Sequence, residues 1–317
     1  MSPSAVPQPS RRVLNRGIYV PTPTFFTASE AVDVDTIKSH AVRLAQAGVS
    51  GLAVQGSNGE AVNLTHEERN TVSKATREAL DANGFQDMPL IVGCGAQSTF
   101  EAISLCEQAA AAGGDYTLIL PPNYYAGLFN SSSIVEFFTD VADASPIPII
   151  IYNYPGATPG VDLNSDILTK LSSHPNIVGC KFTCGNTGKL GRVAAAVKAS
   201  GEDFLCFSGS ADFTLPAMAN GAAGVIGGLA NLAPRANVKL WALGEKKAQE
   251  ANELQGVVGR GDWVAIQTGV IGVKTGLQEY FGYGGFARKP LPRPESEERT
   301  KIREGLKELM ELEKSLA

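Results

Sequence analysis

Histidine is scarce. The 317 residues hold three, His40, His66 and His174, each isolated among polar, surface-type neighbours. A metal centre built on imidazole, or a triad that needs one as base, has little to draw on. Cysteine is thin as well. Cys94, Cys106, Cys180, Cys184 and Cys206 are odd in number and scattered, with no C-x-x-C pair. That argues against a disulfide framework and against a thiolate zinc site. Three of them lie in apolar runs, where a thiol serves as a small hydrophobe. No stretch offers the roughly 18 uncharged apolar residues of a membrane span. No basic run is present to track phosphates, and the net charge of −5 turns expectation away from nucleic acid.

What is there is the material of a sizeable core, 44% hydrophobic against 19% charged. Residues 1–16, MSPSAVPQPSRRVLNR, carry three arginines and no acid. Proline and serine spoil the amphipathic helix of a mitochondrial presequence, so a disordered tail and a cytoplasmic location are expected.

From residue 17 onward, β-branched apolar runs alternate with helical patterns. The runs fall at 17–22, 49–54, 89–93, 115–120, 147–152, 177–181, 203–208 and 222–227. The helical patterns fall near 34–47, 65–82, 98–112, 131–143, 162–172, 186–199 and 211–219. Thr65 before Glu67-Glu68, Ser98 before Glu101 and Asp162 before Asp166 signal helix starts. Glycines at 48, 113–114 and 221 signal ends. Unbroken apolar strands imply burial on both faces, as in a parallel sheet. An open dinucleotide fold would want G-x-G-x-x-G after its first strand, and VGCGAQS (92–98) does not supply it. The expected architecture is α/β, a (β/α)8 TIM barrel over 17–230 with a C-terminal helical extension over 231–317. A Pro-rich link, KPLPRPES (289–296), precedes the last helix.

Barrels of this kind place their chemistry at the carboxyl ends of the strands. There stand VQGSNGE (54–60), LPPNYYAG (120–127), YNYPGATPG (152–160), Lys181, SGSAD (208–212) and GVIGGLAN (224–231). Lys181 ends the apolar run Ile177-Val178-Gly179-Cys180. In water a lysine is almost wholly protonated at pH 7, whereas a low-dielectric pocket favours the neutral amine, a nucleophile able to form a Schiff base. Taken alone, it reads better as a rim lysine whose ammonium reaches solvent, and its neighbours change that. Tyr152 closes the preceding strand in the same manner and could shuttle a proton, or be an ordinary core tyrosine. The glycine turn GSNGE aims backbone N–H groups and the Ser57 hydroxyl at one spot, a nest for a carboxylate or phosphate. GVIGGLAN admits another reading, the phosphate cradle of a phosphosugar enzyme. Lys274, in GVIGVKTGL, repeats the lysine pattern but falls in the helical tail and is taken as a decoy.

In combination and order, these sites resemble the N-acetylneuraminate lyase / dihydrodipicolinate synthase family of class I aldolases. The likeness runs from about residue 17 to at least 285. It includes the G-x-x-G-E turn (56–60), the tyrosine pair (124–125), Y-N-x-P (152–155), G-x-K (179–181) and S-G-x-x-D (208–212). The resemblance implies an imine between Lys181 and a 2-oxo acid, usually pyruvate. It implies Tyr152 as general acid/base and the Ser57–Asn58 turn as holder of the carboxylate. Tyr125, by analogy, would reach into a neighbouring subunit's site. Gly209 and Ile226 would line the pocket by backbone, and Thr183 would face the distal part of the substrate. No cofactor beyond the covalent imine is implied, and the expected assembly is a homotetramer, a dimer of dimers.

The departures narrow the substrate. The synthase branch carries an arginine for a second carboxylate where this chain has Ala157, and a threonine where it has Asn58. GSNGE is similar to the 4-hydroxy-2-oxoglutarate aldolases. VPTPTF, IYNYPGATPGVDL and KFTCGNTGKL are closer to fungal 2-keto-3-deoxy-L-galactonate aldolases. The expected activity is cleavage of a 2-keto-3-deoxy sugar acid to pyruvate and an aldehyde such as L-glyceraldehyde. 4-Hydroxy-2-oxoglutarate cleavage, condensation of pyruvate with aspartate semialdehyde, and non-catalytic binding of a 2-oxo acid are the alternatives.

Overall fold

A computed structural model describes residues 12–316 of the chain. Eight strands form in sequence: β1 (Gly17–Pro21), β2 (Gly51–Val54), β3 (Leu90–Gly93), β4 (Tyr116–Ile119), β5 (Ile149–Asn153), β6 (Ile177–Phe182), β7 (Leu205–Ser208) and β8 (Gly224–Ile226). Each pairs in parallel with the next, and β8 pairs back onto β1, so the sheet closes into a barrel. Every strand residue is buried except the partly exposed Val178 and Leu205. Side chains alternate between two cores, as the pleat requires. Tyr19, Ile91, Ile150 and Phe207 fill the barrel interior, while Ile18, Val92, Ile149 and Ile151 face the surrounding helices.

The helices are α1 (Val34–Gln46), α2 (His66–Ala82), α3 (Thr99–Ala111), α4 (Ser131–Ala144), α5 (Ser165–Ser172), α6 (Thr187–Ser200), α7 (Thr214–Ala219), α8 (Pro234–Glu245), α9 (Glu250–Phe281) and α10 (Ser296–Ser315). Thr65 caps α2 in a reciprocal box with Glu68, and the Ser98 hydroxyl accepts from the Glu101 N–H. The expected start at Asp162 is displaced. Asn164 caps α5 instead, because the Asp162 carboxylate is occupied by the Asn153 amide and the Lys189 ammonium.

Three further readings change. Of the tail expected over 1–16, residues 1–11 lie outside the described residues, but 12–16 are anchored at Arg12 and Leu14 while Val13, Asn15 and Arg16 stay exposed. Arg12 pairs with Asp115 at 3.0 Å, and Leu14 joins the barrel-interior cluster. The boundary at 230/231 also shifts, since α8 packs beside β1 as the eighth helix of the ring and the extension proper is α9 and α10. Lastly, His40 is no surface residue. It is buried between the Tyr283 hydroxyl (2.8 Å) and Asn231 (3.0 Å), and burial pushes its pKa down to about 3.

The extension is built into the barrel. α8 has no side-chain cap of its own, and Glu313 of α10 accepts from the N–H groups of Arg235 and Ala236 in its place. α9 breaks at Gly269, whose φ of 57° and ψ of −145° suit glycine almost alone. The break lies over the carboxyl-terminal mouth of the barrel, where Gly269 helps to line a cavity.

Candidate active site

Alternation decides what reaches that mouth. On β5, Ile149 and Ile151 point outward, so Ile150 and Tyr152 point in. On β6, Cys180 belongs to the outer core, so Lys181 points in. The parallel register sets Tyr152 directly against Lys181. The Lys181 Nζ lies 4.0 Å from the centre of the Tyr152 ring, and the residue is 3% exposed.

Its surroundings are unusual for a buried ammonium. Lys181, Lys189 and Lys274 are all buried. Lys189 meets Asp162, and Lys274 meets Glu60 at 2.6 Å. Among the described residues Lys181 has no ion pair and no hydrogen bond. The Tyr152 ring face, 4.0 Å away, stands where an anion would, and an amine not locked into an ion pair is available to a bound carbonyl.

Around it the proton-handling groups converge. The Tyr152 hydroxyl is 3.4 Å from Ser57 Oγ, and the Tyr154 ring stacks on that of Tyr152 with centres 5.7 Å apart. Burial, with Tyr152 adding, raises the Tyr154 phenol pKa above its usual value.

The turn carrying Ser57 and Asn58 is held in a strained backbone. Gln55 (φ 57°) and Glu60 (φ 52°) are non-glycine residues in the left-handed region. Gln55 is fixed by donating to the Arg69 carbonyl and the Ser73 hydroxyl. Gly93 is obligatory beside it, since a Cβ there would sit 1.8 Å from the Gln55 carbonyl oxygen. Glu60 accepts from the Lys274 ammonium and from the Arg288 N–H. Lys274 is therefore no nucleophile in waiting but the tie between α9 and this turn. Lys274→Met should strand the Glu60 carboxylate and cost about 3–5 kcal/mol of stability, readable in a urea titration. A cost below 1 kcal/mol would show that the pair holds nothing.

Ser57, Asn58, Tyr152, Lys181, Thr183 and Gly209 share one cavity of about 530 Å³. Gly209 is needed because a Cβ would lie 2.0 Å from Thr183 Oγ1, and that hydroxyl is buried with no partner. The Ile226 side chain is buried in the barrel-interior cluster, and Gly228 lines the cavity. Tyr125 stands 61% exposed on the loop after β4, edge-on to Tyr124, and lines no part of the cavity within its own chain. The phosphate-cradle reading of 224–231 loses its polar group, because Asn231 is buried and bonded to Pro21, Gly228 and His40.

Sequence reasoning missed Asp262 and Trp263 of α9, which form a wall of the cavity. Nothing local marks an aspartate in mid-helix. The Asp262 Oδ2 accepts from Ser210 Oγ (3.1 Å) and from the N–H groups of Ala211 (2.6 Å) and Asp212 (2.9 Å). Burial, reinforced by Asp212, pushes the Asp262 carboxyl up to about 6. Ala157 lines a second, mostly apolar cavity of about 380 Å³ that shares Ser57 and Tyr152. Among the described residues Lys181 is the only lysine or arginine lining either one.

An amine freed of counter-ions at the mouth of a parallel barrel, with a tyrosine against it, marks an enzyme of the class I aldolase kind. The chain belongs to the dihydrodipicolinate synthetase family, whose model matches residues 14–309. A relative from Emericella nidulans, named "probable 4-hydroxy-2-oxoglutarate aldolase, mitochondrial", is 53% identical over 97% of this chain and 99% of its own. The L-threo-3-deoxy-hexylosonate aldolase of Hypocrea jecorina is 50% identical over 95% of this chain and 98% of its own. Among solved structures, a dihydrodipicolinate synthase family protein from Coccidioides immitis superposes with a TM-score of 0.86 at 31% identity, covering 96% of this chain and 99% of that one. The family resemblance drawn from the motifs and the barrel expected from the strand pattern both hold.

Proposed function

We propose that the chain reversibly cleaves a 2-keto-3-deoxy sugar acid of the 2-keto-3-deoxy-L-galactonate kind to pyruvate and an aldehyde such as L-glyceraldehyde. The observation that carries the chemistry is the buried Lys181 amine without an anionic partner. Neutral Lys181 attacks the C2 carbonyl, and loss of water leaves a protonated imine. Tyr152 gives its hydroxyl proton to the departing water and then takes the proton of the C4 hydroxyl in its place. The C3–C4 electron pair flows into the imine as the aldehyde departs. Protonation of the enamine at C3 and hydrolysis release pyruvate and restore the amine. The Ser57–Asn58 turn holds the substrate carboxylate throughout.

The relatives carry two substrate names, and the cavity supports one of them. Among the described residues no cation besides the reacting Lys181 lines the cavity to meet a second carboxylate, whereas Asp212 and Asp262 both line it. A neutral, hydroxyl-bearing tail suits that wall, and a second carboxylate does not. The position that would clamp aspartate semialdehyde is Ala157, without charge. Offered 2-keto-3-deoxy-L-galactonate, 4-hydroxy-2-oxoglutarate, and pyruvate with aspartate semialdehyde, the protein should turn over the first with the highest kcat/KM. Preference for the last pair would overturn the assignment.

The assembly is part of the same proposal. Gln97 ties the loops after β3 and β4, accepting from the N–H groups of Asn123 and Tyr124. The loop after β4 leaves Tyr124, Tyr125 and Leu128 exposed, and the start of α3 leaves Phe100 exposed beside them. Exposed aromatics beside an active-site mouth support an interface through which Tyr125 enters the partner's site, in a dimer of dimers. The location proposed remains cytoplasmic.

A further inference from the structure

Asp262 is 2% exposed, yet only one of its oxygens is spent within the protein. Three donors hold Oδ2, so the carboxylate cannot rotate away. Among the described residues Oδ1 accepts nothing, and it is not among the buried atoms left without a partner, so it retains access to the cavity that Asp262 lines. Across the same cavity the Thr183 hydroxyl is orphaned and buried. Asp212, on the turn that Asp262 anchors, lines the cavity too. A rigid acceptor with an unused lone pair is what a hydroxyl donor on a ligand would meet at low cost. The exposed Trp263, next in the chain, adds a flat apolar wall beside it.

We infer that Asp262 is the specificity-determining residue of the reaction, its free oxygen accepting from a hydroxyl beyond C4 of the substrate while its charge repels a second carboxylate. The inference rests on the aldolase reading above and adds to it the part of the chain that selects the tail. α9, outside the eight βα units, would then set which aldehyde is released, and β5 and β6 the bond that breaks.

The experiment compares wild type with Asp262→Asn, whose side-chain oxygen can still accept the three internal donors. Three substrates are used: 2-keto-3-deoxy-L-galactonate, the tail-less 4-hydroxy-2-oxopentanoate, and the dicarboxylate 4-hydroxy-2-oxoglutarate. The expected result is a loss of about 10- to 100-fold in kcat/KM on the first, mostly through KM. The second should change by less than about twofold and the third should rise by about three- to tenfold, as a like charge is removed. Parallel losses on all three would assign Asp262 a structural role and overturn the inference, as would no change on any. On unaltered protein, 2-keto-3,5-dideoxyhexonate should be cleaved about 10- to 100-fold less efficiently than the hydroxylated substrate, and equal efficiency would also overturn it. Borohydride with pyruvate separates the two levels. If wild type gives no adduct, the aldolase reading itself fails. With the adduct intact, only the assignment of Asp262 is at stake.

Discussion

Lys181→Met should leave a folded protein without activity, its turnover lower by about 10⁵-fold, the scale of effective molarity forfeited when a covalent intermediate is lost. Borohydride reduction of wild type with pyruvate should give a single adduct, mapped by peptide mass to the segment containing Lys181, and the variant should give none. The structure explains why this change spares the fold. Among the described residues no carboxylate pairs with the Lys181 amine, so its removal leaves no unpaired charge behind. Lys274 is the internal control, buried as deeply but paired. Its replacement should weaken the fold while the adduct still forms at Lys181. An adduct on Lys274, or none in the wild type, would remove the mechanism.

Tyr152→Phe should lower turnover by roughly 10²–10⁴-fold, the usual range for a lost acid/base. The substitution deletes one oxygen. The ring still stacks on Tyr154 and still lies against Lys181, so the imine should form and the pyruvate adduct should remain trappable. The loss should therefore appear in kcat more than in KM, because the hydroxyl acts while the C3–C4 bond is breaking. A near-normal rate would route the proton through another group and leave Tyr152 with a packing role only.

Most of the architecture was legible because one physical pattern dominates it. Strands buried on both faces are unbroken apolar runs, and all eight could be placed to within two or three residues of where they form. The capping signals at Thr65 and Ser98 are local chemistry and were readable for that reason. Asp162 and Asn164 offer equivalent capping oxygens two residues apart. What separates them is Lys189 and Asn153, which only the folded chain brings near. Leu14 belongs to an apolar pair with Val13 between arginines, too short a run to announce that it joins the barrel interior. The helical composition from residue 231 onward has no break between α8, which belongs to the ring, and α9, which does not.

The site divides along the same line. Lys181, Tyr152 and the glycine turn sit at strand ends, where the barrel rule points, and the folded chain gathers them in one cavity. Asp262 comes from a helix well over a hundred residues beyond Tyr152 in the chain and carries no periodic or motif signature. Its position is a consequence of how α9 lies across the mouth.

The break in α9 at Gly269 separates two duties along one helix. Before it lie Asp262 and Trp263, which wall the cavity, and after it lies Lys274, which braces the turn of Ser57 and Asn58. Descendants of this barrel can thus exchange the first half to accept a new aldehyde while inheriting the second half, and the reacting amine, untouched. Divergence in what is cleaved should be written ahead of that glycine, and constancy in how it is cleaved behind it.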